Sequence, residues 1–302
     1  MTDIFKVKGE VETALAENRA VVALESTVIA HGLPRPLNLE TALRLEQLVR
    51  DGGAVPATIA VINGSLRIGL DQSQLEYIAR QGKIHKLSRR DLPVAVANNW
   101  DGATTVATTC WIAEQSGVKV FATGGIGGVH RGALPDVSAD LPELARSSLV
   151  VVCSGAKIVL DLPATREWLE THGITVVGYG TDELPAFYSR RSGLPVDVRA
   201  DTPEEVAGIA LARSALKLEG ATLVCVPVPE EAEIPAEDLR GVLDEALAEA
   251  TKGNIAGREL TPFLLSRMAE RSQGATLRAN IALLENNARV AAGIALALTR
   301  GR

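Results

Sequence analysis

Short, almost uninterrupted apolar runs alternate along this chain with longer stretches in which apolar side chains recur every three to four positions. The runs fall at residues 20–24, 58–62, 119–122, 149–153, 175–178 and 223–226. Their shortness and lack of polar alternation predict strands buried on both faces. Helical spacing covers residues 39–50, 72–80, 103–115, 164–172 and 204–218. This alternation predicts a three-layer α/β/α fold. Asn63-Gly64 separates the 58–62 run from another at 65–70, and that pair suits a tight hairpin turn, so the central sheet is expected to be mixed. Beyond residue 238 the pattern changes, because 238–251, 262–271 and 277–298 are all helical in spacing with little strand between them. A helical C-terminal portion follows, able to cap the sheet or pack on another subunit. Neither an internal repeat nor a low-complexity linker divides the chain, and residues 1–302 read as a single domain.

Composition narrows the partners. With 46% apolar residues the chain is an ordinary globular protein, and 37 acidic against 31 basic residues leave a formal net charge of −6. No Lys/Arg tract stands out, which argues against nucleic acid as a partner, while a small anionic metabolite needs only a local positive pocket. Cys110, Cys153 and Cys225 sit far apart in apolar contexts, with no CxxC spacing, and read as buried reduced thiols. The first residues, MTDIFKVKGEVETAL, mix acids and bases, and no run reaches the roughly 18 apolar residues of a membrane span. A soluble cytoplasmic protein with no membrane partner is the expectation.

The candidate chemistry concentrates between Lys119 and Asp161. Two buried strands there end in small residues, so the polar groups beyond them are placed at the carboxyl edge of a sheet, where open α/β folds bind ligands. Gly124, Gly125, Gly127 and Gly128 can take positive φ and let backbone N–H groups approach an anion. His130 and Arg131 follow, adding a donor and a charge. The sequence points to a phosphate or carboxylate cradle, against the plainer reading of a tight strand-exit turn. A dinucleotide site is disfavoured, since the sixth position of the would-be GxGxxG is His130 and Ala133-Leu134-Pro135 opens no helix. Lys157, four residues past its strand, is a candidate nucleophile because small neighbours leave room and an apolar flank disfavours the ammonium; an ordinary phosphate-binding or surface lysine is the alternative. Asp136 and Asp140 can share a hard cation or hold a sugar hydroxyl, although Asp140 is also placed to cap the short helix beginning at Leu141.

Three further segments carry candidates. Glu25 follows the apolar run directly, and a carboxyl desolvated on one side has the raised pKa of a general acid; a helix-capping loop carboxylate is the competing reading. His31 alone reads as structural. Of Lys83, Lys86, Arg89 and Arg90, a minority is expected to point inward. Residues 102–109, GATTVATT, look like a helix start whose N–H groups assist anion binding or whose small side chains allow close packing on the sheet.

Taken together, the segments VVALESTVIAHGLP, GAVPATIAVINGSLRIGL, KLSRRDLP, DGATTVATT, VFATGGIGGVHRGA, VSADL, VVCSGAKIVLDLP, VVGYGTDELPAFYSR, ELTPFLLSRMAE and ANIALLENNARV closely resemble the pseudouridine-5′-phosphate glycosidase family, also called indigoidine synthase A-like. They run in order from about Val21 to Val290. The resemblance implies reversible cleavage of the C–C glycosidic bond of pseudouridine 5′-phosphate to uracil and ribose 5-phosphate. It implies Lys157 as the nucleophile at C1′, leading to a ring-opened Schiff-base adduct, and Glu25 as the proton donor. Asp136 would hold Mn²⁺, largely through water. Lys86, Val106, Ser138, Ala139 and Asp140 would contact substrate, with His130 and Asn280 also in the pocket. A homotrimer is implied as well. Lysine and a carboxyl of raised pKa suit a bond with no heteroatom leaving group, and Lys86 nearby would favour the neutral amine of Lys157. One departure stands out: only Leu134-Pro135 separate Gly132-Ala133 from Asp136, fewer residues than the family carries before its metal aspartate. Two alternatives stay open from sequence: a Schiff-base enzyme acting on another phosphorylated sugar adduct, and a sugar-phosphate-binding protein without turnover.

Overall fold

The computed structural model describes residues 4–80, 82–131, 136–255, 257 and 260–301. Its frame is a run of parallel strands: β2 (Val21–Glu25), β3 (Val55–Ile62), β7 (Val120–Ala122), β9 (Val150–Cys153), β11 (Thr175–Tyr179) and β13 (Thr222–Cys225). They lie in the order β3-β2-β7-β9-β13-β11. Each is a short apolar run because it is covered on both sides, and Val22, Ala23, Phe121, Val151, Val152, Leu223 and Val224 are fully buried.

The edges make the sheet mixed, as the hairpin signal predicts. β4 (Ser65–Ile68) returns antiparallel to β3, with Asn63 at φ 50° and Gly64 at φ 68° forming the turn. β1 (Phe5–Val7) pairs parallel with β4, and β12 (Val198–Ala200) pairs parallel with β11. β6 (Gly102–Thr104) pairs antiparallel with β3 and parallel with β5 (His85–Leu87). A separate two-stranded ladder joins β8 (Val129–His130) to β10 (Leu160–Asp161). The short strands β1, β5, β6 and β12, three residues each, fall outside the apolar runs, because three positions with partly polar side chains establish no repeat.

Of the helices, α1 (Gly9–Ala16), α2 (Leu37–Asp51), α3 (Gln72–Arg80), α4 (Leu92–Ala97), α5 (Val106–Gln115) and α6 (Asp140–Leu144) precede β9. After it come α7 (Leu162–Thr171), α8 (Pro203–Ala215), α9 (Ala236–Lys252), α10 (Leu260–Arg271) and α11 (Ala275–Arg300). Local chemistry sets several starts: Thr105 accepts from Thr108 N, Asp161 accepts from Ala164 N, and Thr202 with Glu205 forms a capping box ahead of Pro203. The helix expected from residue 103 therefore begins only at Val106. Gly102–Thr104 is strand instead, paired with β3 and β5, and glycine at 102 lets the chains approach, since an added Cβ would lie 2.2 Å from Leu87 Cδ1.

The C-terminal helices pack on the sheet. α11 lies across β2, β7 and β9, with α2 and α8 alongside it, while α5 contacts β2, β3 and β7. By length and composition α11 is apolar enough to cross a membrane, yet 56% of its apolar window is buried inside the protein. Its hydrophobicity is that of a core helix. Cys110, Cys153 and Cys225 are buried and free, as their contexts suggested.

Candidate active site

β2, β7 and β9 end level with one another. Leu24 pairs with Ala122 and Ala122 with Val152, so Glu25 at the end of β2, the glycines after β7 and the turn after β9 rise from one edge of the sheet. The chain leaves β2 for β3 on one side and later returns to place β7 on the other. Strand order reverses there, and the crevice at such a point is where this class of sheet binds ligands. A cavity of about 350 Å³ opens there, a size suited to a small metabolite.

The ten residues to which the family resemblance gives a role all line this cavity: Glu25, Lys86, Val106, His130, Asp136, Ser138, Ala139, Asp140, Lys157 and Asn280. Glu25 is positioned by the register of β2 and by Thr123, whose hydroxyl donates to Glu25 Oε1. Burial raises the Glu25 pKa above the usual carboxylate range, with a smaller push from the Asp140 charge; Lys157, the Thr123 bond and Lys86 oppose it. The capping role for Glu25 is thus replaced by an enclosed carboxyl facing a lysine.

Lys157 is half-buried and held by its backbone, its N–H donating to Ile126 O at 3.1 Å and its carbonyl accepting from Leu160 N at 3.0 Å. The turn that carries it depends on Gly155, which adopts φ +81° and whose Cβ, if present, would lie 2.2 Å from Pro185 O. Gly155→Ala should therefore lower Tm by roughly 5 °C or more, since left-handed strain and a backbone collision add. A thermal melt followed by circular dichroism checks this, and an unchanged Tm would show that the turn tolerates a side chain.

Positive φ is not what calls for the glycines after β7, of which Gly124, Gly125 and Gly127 line the cavity. None of Gly124, Gly125, Gly127 and Gly128 has positive φ. They are required by close packing: an added Cβ would meet the Phe187 ring at 2.7 Å from Gly125, Ser138 Oγ at 2.1 Å from Gly127 and Thr165 Oγ1 at 2.4 Å from Gly128. Several N–H groups of this turn are also taken by the protein. Ile126 N donates to Gly155 O, Gly127 N to Asp140 Oδ2 and Val129 N to Thr165 Oγ1.

Asp140 has a structural task that neither reading anticipated. It is the first residue of α6 and makes no cap there. Its Oδ1 accepts from Ala107 N at 2.9 Å and its Oδ2 from Gly127 N at 2.8 Å, tying the start of α5 to the glycine turn. With Thr108 N donating to Thr105 Oγ1 as well, two of the N–H groups at the α5 start are engaged within the protein. Asp136, by contrast, is exposed at the cavity rim, and its carbonyl accepts from His130 N at 2.8 Å.

Arg131 is not among the lining residues; it is exposed and its Nε donates to Leu160 O. The shortened Gly132–Pro135 stretch lies outside the described residues. Of the basic cluster, Lys86 and Arg90 reach the cavity, whereas Arg89 pairs with Glu143 at 2.8 Å and Lys83 is exposed.

Several lining residues escaped sequence reasoning. His31 faces the cavity from a π-helical turn, Val28–Gly32, and its Nε2 is buried without a partner; burial and the Lys86 charge lower its pKa. Phe187 adopts φ 64°, and Thr105, Thr261 and Leu284 come from three separate segments. The HGLP motif around His31 and the GATTVATT segment around Thr105 each offered a signal. The others have no local pattern, because loop and helix-end positions acquire a role through distant neighbours.

Comparison with known proteins agrees with this geometry. The profile of the family described as "Indigoidine synthase A like protein" matches residues 10–297. The chain is 53% identical over 293 residues to a pseudouridine-5′-phosphate glycosidase of Solibacter usitatus, covering 96% of this chain and 98% of that one. It is 50% identical over 299 residues to a Clostridium botulinum protein of the same name, covering 98% and 97%. Among solved structures, an indigoidine synthase A-like protein of Thermotoga maritima superposes with a TM-score of 0.91 at 39% identity, covering 99% of this chain and 97% of the other. The prealnumycin C-glycosynthase AlnA, in complex with ribulose 5-phosphate, gives a TM-score of 0.91 at 40% identity, covering 99% and 98%.

Proposed function

The chain belongs to the indigoidine synthase A-like family, and on that footing we propose that it is an enzyme that reversibly cleaves the C–C glycosidic bond of pseudouridine 5′-phosphate, giving uracil and ribose 5-phosphate. The observation that carries the reading is that one cavity, at the sheet's reversal point, gathers Glu25, Lys157 and Asp136.

In the proposed sequence Nζ of Lys157, as the free amine, adds to C1′ and the C1′–O4′ bond breaks, opening the ring; one proton of the new ammonium passes to O4′, which becomes a hydroxyl and leaves the nitrogen with its lone pair. Protonated Glu25 then gives its proton to the uracil carbon that bears the sugar. The C1′–C bond breaks with its electron pair going to the base, while the lysine nitrogen's lone pair forms the C1′=N bond. Water hydrolyses that iminium, releasing ribose 5-phosphate and returning the lysine. The elevated pKa of Glu25 keeps a proton available for the carbon, and a lysine bonded through its backbone on both sides is held at a fixed height above the sheet. AlnA's complex with ribulose 5-phosphate, an acyclic pentose phosphate, supports a ring-opened sugar phosphate in a site of this shape. Lys86 and Arg90 would meet the phosphate.

Mn²⁺ belongs to the same proposal. Among the described residues no three His, Cys, Asp or Glu side chains cluster as a metal cage. A single exposed carboxylate at a cavity rim nevertheless fits a hard cation that keeps most of its waters, and Asp136 supplies it. Bound there, the cation would offset negative charge on a phosphorylated substrate. By family likeness we extend the proposal to a cytoplasmic homotrimer, which analytical ultracentrifugation would test.

Chromatographic quantification of uracil released from pseudouridine 5′-phosphate, with Mn²⁺ and with chelator, tests the function directly. Release that needs the metal is expected. Asp136→Asn should raise the Mn²⁺ concentration for half-maximal rate at least ~10-fold. Tight ribose 5-phosphate binding with no uracil formed would replace the proposal with a binding protein.

A further inference from the structure

Two turns along α11 from Asn280 lies Asn287, 1% exposed and outside the cavity lining. Its carboxamide meets the sheet where β7 and β9 end. Nδ2 donates to Thr123 O at 2.9 Å, to Gly124 O at 3.5 Å and to Ser154 Oγ at 3.1 Å, and Ser154 Oγ donates to Oδ1 at 3.3 Å. The residues it grips are those that hold the reacting groups. Thr123 carries the hydroxyl bonded to Glu25, and Ser154 opens the turn that ends in Lys157. Between them Ser154 N donates to Gly124 O at 2.9 Å, and Phe187 N donates to Ser154 O at 3.1 Å.

We propose that Asn287 is a positioning residue for this reaction, fixing the spacing between the proton donor Glu25 and the nucleophile Lys157 by tying the segment after β7 to the turn after β9. The inference rests on the reading of those two side chains as the reacting groups. Its physical basis is that a buried carboxamide with several partners has one arrangement that satisfies them all, and leaving backbone carbonyls unpaired in a dry interior is costly. The segments after β7 and β9 are short and glycine-rich, so a shift of their carbonyls is passed to Thr123 and to the lysine turn. A helix that packs across β2, β7 and β9 gives the carboxamide a rigid base.

Thr123→Val, Asn287→Ala and the double variant form the test, with uracil release measured well below each protein's melting temperature. If Asn287 acts through Thr123, each single change lowers kcat ~10- to 100-fold and leaves KM within about threefold of the parent. The double variant then falls no more than about threefold below the worse single. Losses that multiply, an unchanged kcat in Asn287→Ala, or a loss confined to Tm would each overturn the inference. Should Asn287→Ala fail to fold, Ser154→Ala removes one arm of the same tether and is read against Thr123→Val in the same way. Lys157→Ala and Glu25→Gln, run alongside, separate the two levels: turnover retained in them sinks the proposed reaction itself, whereas their failure with a multiplicative cycle sinks only the role of Asn287.

Discussion

Lys157→Ala should release uracil from pseudouridine 5′-phosphate at least ~10⁴-fold more slowly than the parent, because removing the amine removes the only step by which C1′ can become an iminium. The fold should survive, since the backbone bonds of Lys157 to Ile126 and Leu160 do not involve the side chain. Borohydride added during turnover should fix a pentose phosphate on the parent chain, detectable by mass spectrometry on the peptide containing Lys157, and leave the variant unmodified. Parent-like uracil release by Lys157→Ala would dismiss the covalent route. Labelling of a different lysine would move the nucleophile elsewhere.

Glu25→Gln should lower kcat for cleavage by ~10²- to 10⁴-fold, the range for loss of a positioned general acid. The pH profile carries more information than the loss itself. Burial raises the Glu25 pKa, so the carboxyl stays protonated to higher pH than a free glutamate. Cleavage that requires this proton declines as pH rises through that pKa. The descending limb should therefore lie above the ordinary glutamate range and be absent in Glu25→Gln. Thr123→Val removes a bond that lowers the pKa, so its limb should move further upward. A limb unchanged in both variants would assign the proton to another group.

Much of the frame was legible. The six buried parallel strands, the 63–64 hairpin and the main helices follow from apolar runs, turn chemistry and caps, all of which act within a few residues. Helix starts were less legible where pairing intervened, as at Gly102, whose missing side chain is demanded by Leu87 on a neighbouring strand. The same limit applies to the glycine turn. Its composition suggested backbone at positive φ, yet the glycines admit Phe187, Ser138 and Thr165, residues 11 to 62 positions away, and no local pattern reports such contacts.

By itself the sequence determined that this is a layered α/β chain with its chemistry at the carboxyl edge of the sheet, and its long shared motifs marked the family. Those properties depend on hydrophobic periodicity and short-range turn preferences, which any reader of the chain can recover. Only the tertiary structure decided which polar groups face the cavity and which hold others in place. Asp140 bonds two backbone N–H groups from different segments, Thr123 reaches Glu25 across 98 positions and Asn287 reaches Thr123 across 164. Hydrogen bonds form between atoms within about 3 Å of each other, and which atoms come that close is settled by how strands and helices pack.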